Sequence, residues 1–246
     1  MTRSLARLLF PHGSVRSAYR GPARGMRFVV EPGIGVSYAL GVEEAAPRHF
    51  SRWVRTGMTV YDLGSNKGQM ALLFAALVGP EGRVLAFEPA PDEFASLSRN
   101  LELNGLGCVH PRRAAVADAE GEMTFAYTPD HPTQGKLVDV EASYSTAGAT
   151  TLTVPTIRLD SLVGIEPPPD LMKVDVEGAA AAALRGAAQI LDEVGPRIYI
   201  ELHGPEEQAG VRDELLGRGY VAETLSGTRV EDPTDGFHSP LWCYRP

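Results

Sequence analysis

Short apolar runs that end in a charged residue alternate along this chain with longer helical patterns. The apolar runs predict buried strands, and four of them end in acids or a histidine: "MTVYDL", "RVLAFEP", "LMKVDV" and "RIYIELHG". Helical patterns cover residues 43–54, 67–78, 91–105, 178–191 and 205–219. This alternation predicts an α/β fold with a parallel sheet covered by helices on both faces.

The remaining apolar segments predict further strands, and no internal repeat or linker divides the chain. These segments are "CVHPRRAAVADAEGEMTFAY", with a turn at Glu120–Gly121, then "TLTVPTIRL", "YVAETL" and "SPLWCYRP". Residues 128–150 are polar and rich in turn residues, so we expect a long irregular insertion there. Such insertions often form binding lids, and Tyr144 and His131 are candidates for contacts with a substrate. We therefore expect one domain over residues 28–246.

Charge is distributed unevenly. Residues 1–27 carry six arginines and no acid, and the net charge of -8 leaves -14 on the remainder. We expect a loosely ordered basic arm over residues 1–27. An acidic body repels phosphate backbones, so nucleic acid is not expected as a substrate. The sequence contains no run of 18 apolar residues, so no transmembrane segment is predicted. The chain has only two cysteines, and this scarcity favours a reducing, cytoplasmic location.

A glycine-containing loop follows the first main strand, at "VYDLGSNKGQ". Gly64 and Gly68 would let the backbone approach a nucleotide, but the spacing differs from the G-x-G-x-x-G of dinucleotide sites. Asp62 would oppose a pyrophosphate and would suit a cationic ligand such as S-adenosylmethionine. Glu88, at the end of the next strand, is placed to accept both ribose hydroxyls. A nicotinamide-dependent oxidoreductase is the alternative, disfavoured by Asp62.

A second group of charged residues lies at the ends of two later strands. Residues two apart on a strand face the same way, which pairs Asp175 with Glu177 and Glu201 with His203, while Lys173 lies one pleat deeper. His203 or Asp175 could act as a general base. Alternatively, Asp175, Glu201 and His203 could hold a divalent cation, which we consider possible but do not expect. A third interpretation is a structural ion-pair network.

The ordered set of blocks resembles the FkbM-type family of S-adenosylmethionine-dependent methyltransferases. The resemblance covers about residues 42–246 and is carried by "VYDLGSNKGQMA", "VLAFEPAPDEFASLSRNLELNG", "AAVADAEGEMTF", "VPTIRLDSL", "LMKVDVEGA" and "IYIELH". It implies a three-layer, Rossmann-like class I methyltransferase sheet of seven strands, the last antiparallel. It also implies methylation of an oxygen on a small molecule or sugar. A non-catalytic cofactor-binding module of the same fold remains an alternative.

The resemblance implies specific site residues. The implied cofactor-binding positions are Asp62, Gly64, Ser65, Asn66, Gly68, Glu88, Pro89, Ala117, Asp118 and Asp175. The catalytic candidates come from the strand-end geometry and not from the resemblance, and they are Lys173, Asp175, Glu177 and His203. One departure from the family follows Glu177, where "GAAAAALRG" lacks the acid that the family commonly has soon after the glycine.

Overall fold

The computed structural model describes residues 10–31, 34–35, 38–39, 45–128, 131–137, 150–236 and 238–246, with the backbone alone at 45–48, 128 and 131–137. The helices are α1 Ala45–Trp53, α2 Gln69–Val78, α3 Pro91–Asn104, α4 Ala180–Arg185, α5 Ala188–Glu193 and α6 Pro205–Glu214. The strands are β1 Val15–Ser17, β2 Arg27–Val29, β3 Thr59–Leu63, β4 Arg83–Phe87, β5 Val109–Arg112, β6 Ala115–Val116, β7 Gly121–Thr128, β8 His131–Leu137, β9 Thr150–Ile157, β10 Leu171–Val174, β11 Arg197–Ile200, β12 Val221–Thr224, β13 Arg229–Val230 and β14 Leu241–Tyr244.

The main sheet has the strand order β13-β12-β14-β11-β10-β3-β4-β5. Strands β3, β4, β5, β10 and β11 run parallel, and β14 is antiparallel to both of its neighbours. The predicted seven strands with an antiparallel last strand are confirmed, and the two-residue β13 extends the edge. Every residue of β3 and β10 is buried, as expected for parallel strands covered on both faces.

A second sheet, of order β6-β9-β7-β8, lies apart from the main one. Its strand β8 occupies residues 131–137, within the insertion that the sequence analysis expected to be irregular, so that expectation is corrected there. The reason is backbone pairing, since β8 is hydrogen-bonded antiparallel to β7. Tyr144 and the side chain of His131 lie outside the described residues.

The N-terminal segment is tied to the domain. Strands β1 and β2 pair antiparallel, and we call residues 10–31 the N-terminal hairpin. Phe28 is fully buried in the core that also contains Leu97 and Leu101 of α3. Within residues 10–27, where a loose arm is expected, β1 is paired with β2 and the side chains of Ala18 and Ala23 are buried.

The predicted helix over residues 178–191 is divided into α4 and α5 at Gly186. A Cβ atom on Gly186 would lie 2.0 Å from the carbonyl oxygen of Ala117. The two segments therefore approach so closely that only glycine fits. By contrast, α3 begins at Pro91 and is followed by the left-handed Gly105, as the sequence predicts.

Candidate functional site

The loop after β3 has three residues in the left-handed region. The φ angles are +77° at Gly64, +48° at Asn66 and +88° at Gly68. The backbone N–H groups of Gly64 and Ser65 donate to the carbonyl of Phe87, at 3.0 and 2.9 Å. Glycine and asparagine tolerate this conformation best, so the residue types of the loop follow from its backbone.

Close contact with the next strand end makes Gly64 irreplaceable. A Cβ atom there would lie 1.9 Å from the carbonyl oxygen of Asp175. The glycine loop and the segment after β10 thus touch through their backbones. This contact brings the two predicted groups of site residues to one edge of the sheet.

Glu88 lies directly after β4 and its carboxylate is held by backbone donors. Oε2 accepts the N–H of Asn66 at 2.8 Å, and Oε1 accepts the N–H of Ala90 at 2.9 Å. Burial raises the pKa of Glu88 to about 7, against the effect of these two hydrogen bonds. The side chain is thus fixed in one orientation.

A cleft opens between the glycine loop, the end of β4 and the second sheet, with about 730 Å³ of space when the part open to solvent is included. Its described lining consists of Gly64, Asn66, Phe87, Glu88, Pro89, Ala90, Glu93, Ala114, Ala115, Val116, Phe125, Asp175, Val176, Glu177 and Ala179. Of the predicted cofactor residues, five line the cleft: Gly64, Asn66, Glu88, Pro89 and Asp175. The lining combines carboxylates with small apolar and aromatic groups.

Asp62 lies beneath this cleft and not in its described wall. It is fully buried, and neither carboxylate oxygen accepts a hydrogen bond from the described residues. Burial raises its pKa. The contact between Asp62 and a ligand stays a prediction, and in this structure the strand end buries the side chain within the sheet.

Four other predicted positions are also absent from the described lining. Ser65 is buried, and its hydroxyl donates to the carbonyl of Asp62 at 2.8 Å. Gly68 immediately precedes α2, and Ala117 is fully buried. The carboxylate of Asp118 forms an ion pair with Arg185 at 2.8 Å. Asp118 lines a different surface depression, and its role as a cofactor-binding residue stays a prediction.

Lys173 connects the two groups of acids. Its Nζ lies 3.4 Å from Asp62 Oδ1 and 3.2 Å from Asp175 Oδ2, and it donates to the carbonyl of Gly64 at 2.9 Å. Burial alone would lower its pKa, but the charges of Asp175 and Asp62 outweigh burial and raise it. Lys173 is thus a permanent buried cation that supports the loop.

His203 lies between two carboxylates. Its Nε2 is 3.1 Å from Asp175 Oδ1, and its Nδ1 is 3.4 Å from Glu177 Oε2. The hydrogen bond with Asp175, opposed by burial and aided by Glu177, raises the pKa of His203 to about 9. The candidate base His203 is therefore an imidazolium at neutral pH.

Glu201 points toward the interior. The hydroxyl of Tyr199 donates to its Oε1 at 3.1 Å, and burial raises its pKa. Within the described part of the chain, no group of three or more His, Cys, Asp and Glu side chains is arranged to hold a metal ion. The cationic groups next to Asp175 are the side chains of Lys173 and His203.

Sequence reasoning missed Glu207, an acid in the first turn of α6. This buried carboxylate accepts the backbone N–H of Ala180 at 3.3 Å, at the start of α4, and that of His203 at 2.5 Å. The first N–H groups of a helix have no acceptor within the helix. The carboxylate of Glu207, from α6, accepts the one at Ala180. The signal was available as an acid in the first turn of the predicted helix that follows His203.

Asn100 was also missed from the sequence. Its side chain joins two segments outside α3, accepting from the N–H of Val29 and donating to the carbonyl of Lys67, each at 2.8 Å. The repeated asparagine at Asn104 was the available signal, since residues four apart share one face of a helix.

The strand order and the cleft at the carboxyl ends of the parallel strands define a Rossmann-like class I methyltransferase fold. The family profile described as Methyltransferase FkbM domain matches residues 62–222. The chain belongs to this FkbM methyltransferase family.

Relatives with related descriptions support the same family. The chain is 30% identical over 175 residues to the hexuronic acid methyltransferase AglP of Haloferax volcanii, covering 70% of this chain and 67% of the relative. It is 41% identical over 78 residues to the 31-O-demethyl-FK506 methyltransferase FkbM of Streptomyces tacrolimicus, covering 31% and 29% of the two chains. The crystal structure of methyltransferase FkbM from Methylobacillus flagellatus superposes with a TM-score of 0.51 at 14% identity, over 86% of this chain and 56% of that one, which supports the fold.

Proposed function

We propose that this protein transfers a methyl group from S-adenosylmethionine to a hydroxyl oxygen of a small molecule, such as a sugar or natural product. The observation that carries the proposal is Glu88, whose carboxylate is held at the wall of the cleft by the N–H groups of Asn66 and Ala90. A fixed carboxylate at this strand end is suited to accept two ribose hydroxyls. The names of the relatives AglP and FkbM support methylation of a sugar acid or a natural-product oxygen.

The cleft fits a cationic nucleoside better than a dinucleotide. Glu88, Asp175 and Glu177 line it, and a pyrophosphate would be repelled by these carboxylates. Ala115 and Phe125 supply apolar surface of the kind that covers an adenine ring. This charge balance disfavours the nicotinamide-dependent alternative.

The bound cofactor supplies a methyl group on a sulfonium, which is already a strong electrophile. The residues of this chain have to position the acceptor and take its proton. We assign the proton-accepting role to the pair of Asp175 and His203, which touch each other at 3.1 Å. With a His203 pKa of about 9, only about one molecule in a hundred has neutral imidazole at pH 7. A positioned base typically adds about 10²–10⁴-fold to a rate.

The proposal also covers the substrate class of the protein and its location in the cell. The acceptor is a small molecule in the cytoplasm, and the acidic body disfavours nucleic acid. Among the described residues, no helix has the length and hydropathy needed to cross a membrane.

Calorimetric titration of the protein with S-adenosylmethionine, S-adenosylhomocysteine and NAD tests the cofactor assignment. We expect binding of the first two and no binding of NAD. Glu88→Ala should abolish binding, while Glu81→Ala, an exposed acid just before the start of the same strand β4, should bind normally. Unchanged affinity in Glu88→Ala, or preference for NAD, would overturn the assignment.

Transfer of a labelled methyl group to a panel of glycosides, uronic acids and phenols tests the reaction. Label on an oxygen of any member supports O-methylation, and label on a nitrogen contradicts it. Tight cofactor binding without transfer to any class of acceptor would favour the non-catalytic module.

A further inference from the structure

We propose that Asn100 is a positioning residue that couples the N-terminal hairpin to the glycine loop, so that this one side chain links the docking of the hairpin to the geometry of the loop. This inference rests on the proposed function, because the loop is taken to bind S-adenosylmethionine. It adds a residue outside the described cleft lining to those that set cofactor affinity.

A row of polar side chains on α3 holds the hairpin. Ser96 contacts Glu31, Asn100 contacts Val29, and Asn104 contacts Arg27, at 2.7, 2.8 and 2.7 Å. The spacings match, because four helical residues rise about 6 Å and two strand residues about 6.6 Å. Asn100 and Asn104 accept the N–H groups of Val29 and Arg27 on the free edge of β2, which otherwise would be unpaired, while Ser96 donates to the side chain of Glu31.

Asn100 differs from the other two members because its amide also reaches the glycine loop. Its Nδ2 donates to the carbonyl of Lys67 at 2.8 Å, and the side chain is fully buried. The described contacts of Ser96 and Asn104 are with the hairpin and with α3 itself. One side chain thus satisfies a donor of the hairpin and an acceptor of the loop.

The loop carbonyl that Asn100 holds is adjacent to the cleft. Lys67 follows Asn66, which lines the cleft, has a left-handed backbone and donates its N–H to Glu88. Removing the amide of Asn100 leaves the Lys67 carbonyl without this donor in a buried place, which is costly. The loop would relax, and the orientation of Glu88 would be less well defined.

Affinity for S-adenosylhomocysteine, measured by calorimetry, separates coupling from simple docking. Asn100→Ala and Asn104→Ala both remove a contact with the hairpin, but only Asn100→Ala removes the contact with the loop. We expect Asn100→Ala to weaken binding about tenfold and Asn104→Ala to change it by less than about twofold, consistent with the loss of one buried hydrogen bond. Equal affinities in the two variants would overturn the proposal.

Amide hydrogen exchange in the unmodified protein gives a second test, which does not depend on the folding of a variant. Coupling is reciprocal, so saturating S-adenosylhomocysteine should slow exchange at the N–H of Val29. An exchange rate at Val29 that does not change with ligand would overturn the coupling. If the unmodified protein does not bind S-adenosylhomocysteine, the proposed function fails. If the unmodified protein binds S-adenosylhomocysteine and Asn100→Ala binds it with the same affinity, the coupling is refuted and the proposed function is not.

Discussion

Lys173 and Asp62 are direct partners on neighbouring strands, with Nζ 3.4 Å from Oδ1 and both side chains buried. The acid at the end of β3 therefore faces a cation within the protein. Because Lys173 also donates to the carbonyl of Gly64, the pair supports the glycine loop from below.

Substitution of Lys173 should be strongly destabilising. Lys173→Met leaves Asp62 buried without its compensating charge, and breaking such pairs costs about 3–5 kcal/mol. Urea denaturation should show this loss. The double variant Asp62→Asn/Lys173→Met should recover part of it, because no charge is then left uncompensated at that position. A loss below about 1 kcal/mol in the single variant would mean that the pair is weakly coupled.

Gly64→Ala should lower the free energy of unfolding more than Gly227→Ala, although both glycines have a left-handed backbone. Gly227 has a φ of +84° and open space around a Cβ atom, whereas a Cβ atom on Gly64 meets the Asp175 carbonyl. Gly227→Ala should cost about 1–2 kcal/mol, the strain of the left-handed backbone. Gly64→Ala should cost clearly more in the same denaturation assay and should weaken cofactor binding. Equal costs would show that the loop moves aside easily.

The architecture was predictable because its signals are local. Apolar runs located strands β3, β4, β10 and β11, and a proline and a glycine marked the ends of α3. The rule that parallel strands present their carboxyl ends at one edge then brought Glu88 and Asp175 to one cleft. These inferences needed no knowledge of strand register.

The features that the sequence did not predict depend on contacts between segments that are far apart in the chain. Only the register of β10 against β3 shows that Lys173 opposes Asp62. The pKa of His203 depends on two carboxylates that approach it in space. The N-terminal hairpin was hidden because its arginines suggested a solvated arm, while Phe28 supplies burial that composition does not reveal.

The charged state of His203 should make stability depend on pH. Its folded pKa, about 9, lies above the ordinary value of 6.5. The stabilisation is thus fully present below pH 6.5 and is lost as pH rises through 9. His203→Gln should lower the melting temperature relative to the unmodified protein at pH 6, with a smaller difference at pH 10. A difference that is constant with pH would show that the imidazolium contacts do not stabilise the fold.

The same pKa predicts the profile of the reaction. If neutral His203 accepts the proton, kcat/KM for an acceptor should rise about tenfold per pH unit between pH 6 and 8 and level off near pH 9. His203→Gln should be slower and should lack this rise. A rate independent of pH over this range, or normal turnover in His203→Gln, would exclude His203 as the base.

Cofactor affinity should depend on pH through Glu88. Burial raises its pKa to about 7, and an ionised carboxylate accepts hydrogen bonds from hydroxyl groups more strongly than a protonated one. Below pH 7, binding has to compete with protonation, so affinity for S-adenosylhomocysteine should be about tenfold weaker at pH 6 than at pH 8. Calorimetric titrations at the two pH values measure this ratio. Glu88→Gln cannot ionise, so it should bind weakly with little difference between pH 6 and 8. Equal affinity of the unmodified protein at both values would show that the ionised Glu88 does not hold the ligand.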